Sequence, residues 1–179
     1  MVHTMTSKLL RPDAVIRDEQ STDHQAIHSI TELAFRGRPY AGGDEPDVII
    51  RLRNAHDLTL SLVCLIDSKI VGQITFSPAT VADASKPWFA LGPVSVLPEF
   101  QGQGIGSKLI NLGLSRIVEL GARGCILTGN PIYYQRFGFE LCPENCPVNE
   151  PAEYFMLKLF VSKQPDGPFK FHEAFYDDV

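Results

Sequence analysis

Residues 94–110 read VSVLPEFQGQGIGSKLI, and this stretch decides the fold. Its first residues alternate as a strand does, and Pro98, which has no N–H to give to a ladder, ends the run. Gly102, Gly104 and Gly106 follow at alternate positions, so the chain can turn tightly and approach a ligand with no Cβ in the way. From Ile105 the apolar residues Leu109, Ile110, Leu112, Leu114 and Ile117 recur at helical spacing until Gly121 closes the helix. A strand thus feeds a glycine-rich loop, and the loop feeds a helix. The first N–H groups of that helix have no internal partner and carry the positive end of its dipole, which is a place for phosphate.

Two common phosphate-binding patterns do not fit. A dinucleotide fingerprint G-x-G-x-x-G starting at Gly102 needs glycine where Ser107 stands, and it belongs in the first strand–helix–strand unit rather than past mid-chain. A P-loop needs G-K-[ST], whereas Lys108 lies between Ser107 and Leu109. Glycine at a helical position costs about 1 kcal/mol relative to alanine. Three alternate glycines at a helix mouth therefore point to ligand contact rather than to an idle turn.

Outward from this centre, residues 59–66 (TLSLVCLI) and 70–77 (IVGQITFS) are β-rich runs on either side of Asp67-Ser68-Lys69, a hairpin. In the second run Ile70, Gly72, Ile74 and Phe76 alternate with Val71, Gln73 and Thr75. Residues 78–87 read as the connection to a third strand over 88–97. Residues 14–17 fit an edge strand, and Thr22 or Asp23 can cap a helix whose apolar stripe is Ile27, Ile30, Leu33 and Ala34. Gly37, Pro39, Gly42, Gly43 and Pro46 make residues 36–46 a loop, after which a short helix over 47–54 buries Val48, Ile49 and Leu52. Beyond the centre, 124–128 is a short buried strand, and Pro131 opens a helix that Gly138 breaks. A strand begins over 139–141 and the last covers 153–161. Phe169, Phe171 and Phe175 are expected to pack back onto the body. The order β-α-α-β-β-β-α-β-α-β-β predicts an α/β fold with a mixed sheet and helices on both faces, in one domain over 13–179 behind a flexible N-terminus over 1–12.

Composition narrows the function. With 44% hydrophobic and 21% charged residues the chain is globular rather than disordered. A net charge of −5 without a basic stripe argues against a nucleic-acid partner, and Arg36, Arg38, Arg51 and Arg53 are expected to be solvated. No apolar run at the start suits a secretory leader, and none approaches the roughly 20 residues of a membrane span. A cytoplasmic location with free thiols at Cys64, Cys125, Cys142 and Cys146 is the expectation. Cys142 and Cys146 lie in CPENC with no further ligands at metal spacing, so no metal site is expected.

The run Val94-Ser95-Val96-Leu97-Pro98 followed by Gln101-Gly102-Gln103-Gly104-Ile105-Gly106 resembles the Q/R-x-x-G-x-G/A signature of the GNAT acetyltransferases. A second motif agrees with the same superfamily. NPIYYQRFGF over 130–139 places Asn130 and Tyr134 on the family's N-x-x-x-Y-x-x-x-G-F positions. The segments LGPVSVLPEFQGQGIG and TGNPIYYQRFGF look most like its YhbS-like branch. The resemblance implies the GNAT acyl-CoA N-acyltransferase fold, a mostly antiparallel sheet with one splayed strand pair. It implies acetyl-CoA as cosubstrate, its pyrophosphate cradled by N–H groups of Gln101, Gly102, Gln103, Gly104, Ile105, Gly106 and Ser107. Its pantetheine arm would lie along Val94, Ser95 and Val96, with Asn130 and Tyr134 alongside.

Acetyl transfer to an amine makes three demands: a donor for the carbonyl oxygen, removal of a proton from the amine, and a proton for the leaving thiolate. The resemblance points to the main-chain N–H of Val96 for the first and to Tyr134 for the third. A phenol with an ordinary pKa of about 10 holds its proton at neutral pH. On this reading Tyr133 faces elsewhere. Glu45 is the candidate general base, with Asp44, Asp47 or a chain of waters as rivals. His24, His28, His56 and His172 receive no role. The expected activity is transfer to a primary amine of a small molecule or protein by direct attack in a ternary complex. A non-catalytic CoA or acyl-CoA sensor of the same fold is the alternative. The acceptor site is expected between the loops over 35–47 and 141–151, where Glu144, Glu150 and Glu153 suit a cationic amine. The chain is expected to be a monomer or homodimer, without membrane contact.

Overall fold

Alternation along a central hairpin decides which side of the sheet each helix covers. The hairpin pairs Leu60–Ile66 (β2) with Lys69–Val81 (β3), joined by Asp67 and Ser68 at φ 49° and 64°, the mirror-image turn that a twisted hairpin favours. Leu62, Cys64, Ile74 and Phe76 face Leu109, Ile110 and Leu114 of Ile105–Glu119, whereas Val63 faces Ile27 and Ile49 on the other side. The computed structural model describes residues 13–39 and 41–176; the flexible N-terminus expected over 1–12 lies outside the described residues.

Val15–Asp18 (β1) pairs with β2, and His24–Phe35 (α1) and Glu45–Asn54 (α2) come between them in sequence. After the hairpin come Trp88–Val96 (β4), Ile105–Glu119 (α3), Gly124–Thr128 (β5), Pro131–Tyr134 (α4), Glu140–Leu141 (β6), Phe155–Leu159 (β7) and Phe169–Lys170 (β8). The sheet order is β1-β2-β3-β4-β5-β7-β6, with β8 attached to the end of β3. Among the described residues β4 and β5 are the one parallel pair, and their pairing runs from Trp88↔Gly124 only to Ala90↔Ile126. Beyond it β4 continues to Val96 and β5 to Thr128, so the strands part: the expected splayed pair. A bulge between Ile74 and Phe76 of the β3 register bends β4 at this point. α1 and α2 cover one face, and α3 with α4 covers the other. Among the described residues no helix is long and apolar enough to cross a membrane.

Several elements differ from their sequence-based expectation. β3 runs to Val81 rather than ending at 77, because Thr80 and Val81 pair with Lys170 and Phe169 of a tail strand too short to carry a pattern. Gln73, Thr75 and Ser77, which alternate with the apolar residues of β3, are fully buried, since α1 and α2 close that face. Gln73 Nε2 and Thr75 Oγ1 both donate to the Pro93 carbonyl, each at 3.2 Å. The stripe of α1 turns toward Thr31, whose Oγ1 returns to the Ile27 carbonyl at 2.7 Å, and leaves Leu33 exposed. Asp23 does not cap α1 through its side chain. Its carboxylate accepts the Gln20 N–H at 2.7 Å and pairs with Arg17 at 2.6 Å, closing the turn before the helix. The strand expected over 153–161 is Phe155–Leu159, because Ala152–Tyr154 winds into a single turn, and the short β8 follows it. The aromatic tail does pack back. Phe169 is buried with its ring edge-on to Trp88 at 5.1 Å, and Phe171 meets Phe155 at 6.3 Å. Burying side chains of this size contributes about 1.5–3 kcal/mol each.

Candidate active site

The strand end comes first. Leu97 N–H donates to the Val71 carbonyl at 2.9 Å, so in the alternating antiparallel ladder Ser95 also bonds to β3, opposite Gln73. Val94 and Val96 occupy the intervening positions and turn their N–H and C=O toward the side that β5 has vacated. Ser95, expected beside them at the cofactor, differs. Its backbone belongs to the β3 ladder, and its side chain is buried on the other face, where its Oγ accepts from Gln73 Nε2 at 2.9 Å. Gln101 pins the loop to the strand by donating from Nε2 to the Val96 carbonyl at 3.0 Å.

The loop then turns through Gly104, whose φ of 83° is left-handed backbone that glycine adopts without cost. The first bond inside α3 is Lys108 N–H to the Gly104 carbonyl, which leaves the N–H groups of Ile105, Gly106 and Ser107 without helical partners. The packing at Gly106 is tight: a Cβ there would lie 3.3 Å from the Tyr133 hydroxyl and 3.8 Å from Val96 Cγ2. Strand end, helix mouth and α4 therefore meet at one point, and the two motifs form one site. Gln103 stands aside, its Nε2 on the Glu99 carbonyl at 3.3 Å.

Asn130 caps α4 by accepting the Ile132 N–H at Oδ1, 3.0 Å. Tyr134 lies with its ring edge against Gly129, where a Cβ would come within 2.6 Å of Cε2, and is fixed by the rings of Tyr133 and Phe139 at 4.9 and 6.1 Å. Tyr133 does not face elsewhere. Its hydroxyl sits at the α3 mouth, burial pushes its pKa up, and the Ser107 side chain and Arg136 oppose that rise. The Arg136 guanidinium stacks 4.7 Å over the Tyr133 ring. Arg38 reaches the same mouth and donates to Gln101 Oε1 at 3.2 Å. Two cations and three open N–H groups suit a phosphate ligand. The sequence signal for Tyr133 was its place beside Tyr134 in a motif read as carrying one tyrosine. Arg38 lies 63 residues from its partner and left none.

On the opposite face the loop carboxylates are engaged. Glu45 accepts the Gly42 and Gly43 N–H groups at 2.5 and 3.1 Å, which orders the loop before α2. Asp44 pairs with Arg51 at 2.5 Å, and Asp47 is exposed in the first turn of α2, where the helix dipole favours it. The arginines are pins more than solvated charges. Arg51 also donates to the Ala174 carbonyl at 2.8 Å, and Arg53 clasps Glu19 through two bonds at 2.9 and 3.1 Å; Arg36, in an exposed pair with Glu32, fits the expectation. CPENC is a structural turn. Buried Asn145 donates to the Pro165 and Gly167 carbonyls, while burial raises the Cys142 thiol to about 11. Among the described residues no group of His, Cys, Asp and Glu could hold a metal ion.

Comparison with known proteins identifies the family. Residues 58–141 match the acetyltransferase (GNAT) domain model. The uncharacterized N-acetyltransferase YhbS of Escherichia coli (strain K12) is 33% identical over 128 residues, 71% of this chain and 74% of YhbS. Among solved structures, a GNAT family acetyltransferase from Brucella melitensis in complex with acetyl-CoA superposes with TM-score 0.81 at 42% identity, covering 91% of this chain and 98% of that one. The structure of Escherichia coli YhbS in complex with CoA gives TM-score 0.83 at 28% identity, covering 93% of each. The chain belongs to the GNAT acetyltransferase family.

Proposed function

We propose that this protein transfers the acetyl group of acetyl-CoA to a primary amine by direct attack within a ternary complex. The observation that carries this reading is the junction at Gly106. The open strand end, the helix N–H groups without helical partners and the tyrosine pair meet there, and a Cβ would stand 3.3 to 3.8 Å from Tyr133 and Val96. The N–H groups of Ile105, Gly106 and Ser107 would hold the pyrophosphate of the cosubstrate, with Arg38 and Arg136 nearby as counter-charges. Val94 and Val96 would pair with the amide groups of the pantetheine arm in place of β5. The acetyl carbonyl would then lie at the strand end, where the Val96 N–H stabilises the oxygen as it gains charge. Tyr134 would protonate the leaving sulfur. Glu45 is better assigned to ordering its loop, since both its oxygens already accept backbone N–H groups. The relatives known with acetyl-CoA and with CoA support the choice of cosubstrate.

The test is amine-dependent release of the CoA thiol, followed while both substrates are varied. Intersecting initial-velocity patterns are expected for direct attack. Parallel patterns would mean an acetylated enzyme and contradict it. Cosubstrate binding without thiol release across a broad amine panel would favour the sensor reading.

A further inference from the structure

Glu150 is held where β4 and β5 part, on the face of the sheet opposite Tyr134. Its Oε2 accepts the Thr128 hydroxyl at 3.1 Å and its Oε1 accepts the Tyr176 hydroxyl at 2.7 Å. Thr128 is the last residue of β5, two positions past the end of pairing with β4. The next residue, Gly129, packs against the ring of Tyr134. Glu150 and Tyr134 therefore lean on adjacent residues of the same strand end, one on each face. The backbone of Glu150 is fixed as well. Its N–H donates to the Pro147 carbonyl at 3.1 Å, and the Cys146 thiol donates to the Glu150 carbonyl at 3.5 Å.

The partners of this carboxylate distinguish it. Asp23, Asp44 and Glu19 each pair with an arginine, and Glu45 is held by two backbone N–H groups. Half-buried Glu150 has two neutral hydroxyls and, among the described residues, no cationic partner. Tyr176 remains a donor, because burial and the Glu150 carboxylate both push its pKa up. A carboxylate oriented by two hydroxyl donors and facing no cation of its own is a receptor for one. The tail that delivers Tyr176 is itself fastened down, by Arg51 to the Ala174 carbonyl and by His172 to Asp57 at 2.9 Å.

Resting on the acetyltransferase reading, we propose that Glu150 is the catalytic carboxylate that receives the acceptor, that the acceptor is an aliphatic amine arriving as an ammonium ion, and that Tyr176 and Thr128 position the carboxylate for it. An aliphatic ammonium with a pKa of about 10.4 is almost wholly protonated at neutral pH, so it must lose a proton before it can attack. Glu150 takes that proton. The freed nitrogen lone pair forms the C–N bond to the acetyl carbonyl carbon as the C–S bond breaks, and the sulfur keeps the bonding pair. Tyr134 gives its proton to the sulfur. A second nitrogen proton, lost as the amide forms, restores the phenol, and Glu150 returns its proton to water. The balance is ammonium plus thioester to amide, thiol and one proton.

The experiment pairs cosubstrate titration with acetylation of three cationic probes: cadaverine, spermidine and a lysine-containing peptide. Wild type should acetylate at least one probe. Glu150→Gln should lower kcat/KM for that probe at least about 100-fold, the low end of what acid–base groups contribute, while binding CoA as wild type does. Glu150→Asp should recover part of the loss. A smaller loss in Glu150→Gln, or a wild type that binds CoA and acetylates none of the three, overturns the inference and leaves the acetyltransferase reading standing. A folded wild type that fails to bind CoA overturns both. Should Glu150→Gln not fold, the Thr128→Val/Tyr176→Phe variant keeps the carboxylate but strips its two donors. It should raise KM for the amine with CoA binding unchanged, and an unchanged KM overturns the inference.

Discussion

The two halves of the site are built differently. The proposed cofactor half is mostly local: apart from Arg38, residues 94–107 and 130–139 would supply it, and most of its working groups are backbone N–H and C=O positioned by one strand end, one glycine turn and one helix start. The proposed acceptor half would gather side chains from the α1–α2 loop, the end of β5, the turn at Cys142–Cys146 and the C-terminal tail. Its joints span 123 residues from Arg51 to Ala174, 115 from Asp57 to His172 and 26 from Glu150 to Tyr176. Backbone recognition needs only a spacing of small residues, and spacing survives in a sequence. Side-chain recognition across distant segments needs the fold before any pattern exists.

Substitutions on each half should separate these two kinds of construction. The largest effect is expected at Tyr134. Tyr134→Phe should lower kcat about 100- to 1000-fold, as loss of a positioned acid does, with CoA affinity unchanged by calorimetry. Unchanged turnover would remove Tyr134 from the chemistry. Arg51→Ala should cost about 1–3 kcal/mol of stability by leaving the Ala174 carbonyl and Asp44 without their donor. Denaturant midpoints would report that loss, and it should raise the amine KM while sparing CoA binding. Equal damage to both substrates would mean that the halves are not separable. Tyr133→Phe belongs to the cofactor half and should weaken CoA by about three- to ten-fold, the worth of one hydrogen bond, with the amine KM unmoved.

The smallest effect is reserved for a tail anchor outside both halves. Asp83 accepts from Ser85 and from the Asp166 N–H, and these bonds hold its pKa at about 2, below the ordinary 3.8. A folded-state pKa below the unfolded one gives stability that is complete above about pH 4 and lost as pH falls toward 2. Asp83→Asn should flatten the stability profile in that acid window and leave neutral pH nearly unchanged. An unaltered acid slope in thermal melts would count against the anchor.

What the sequence disclosed follows the same division. The strand expected over 88–97 and found as Trp88–Val96, the glycine turn, the helix from Ile105 and the strand Gly124–Thr128 were all legible, because each depends on neighbours in the chain. Ser95 was read as a cofactor contact because a motif does not say which residues of a strand keep their groups for the sheet; that depends on the register opposite Gln73. Tyr133 was read as facing away because the place of α4 against the α3 mouth is a tertiary fact. Arg38, Arg51 and Arg53 looked like ordinary surface charges because their partners lie 63, 123 and 34 residues away. Glu150 was visible as one acidic loop residue among several, and its two hydroxyl partners single it out only in the folded chain.

The most direct test of the central claim is calorimetric titration with acetyl-CoA of wild type and of Gly104→Val. A β-branched residue at a φ of 83° cannot keep the turn that opens α3. The account predicts one-to-one binding to wild type, and its loss in a Gly104→Val protein that still melts cooperatively. Absence of binding to folded wild type at millimolar acetyl-CoA, or undiminished binding in the variant, would contradict it.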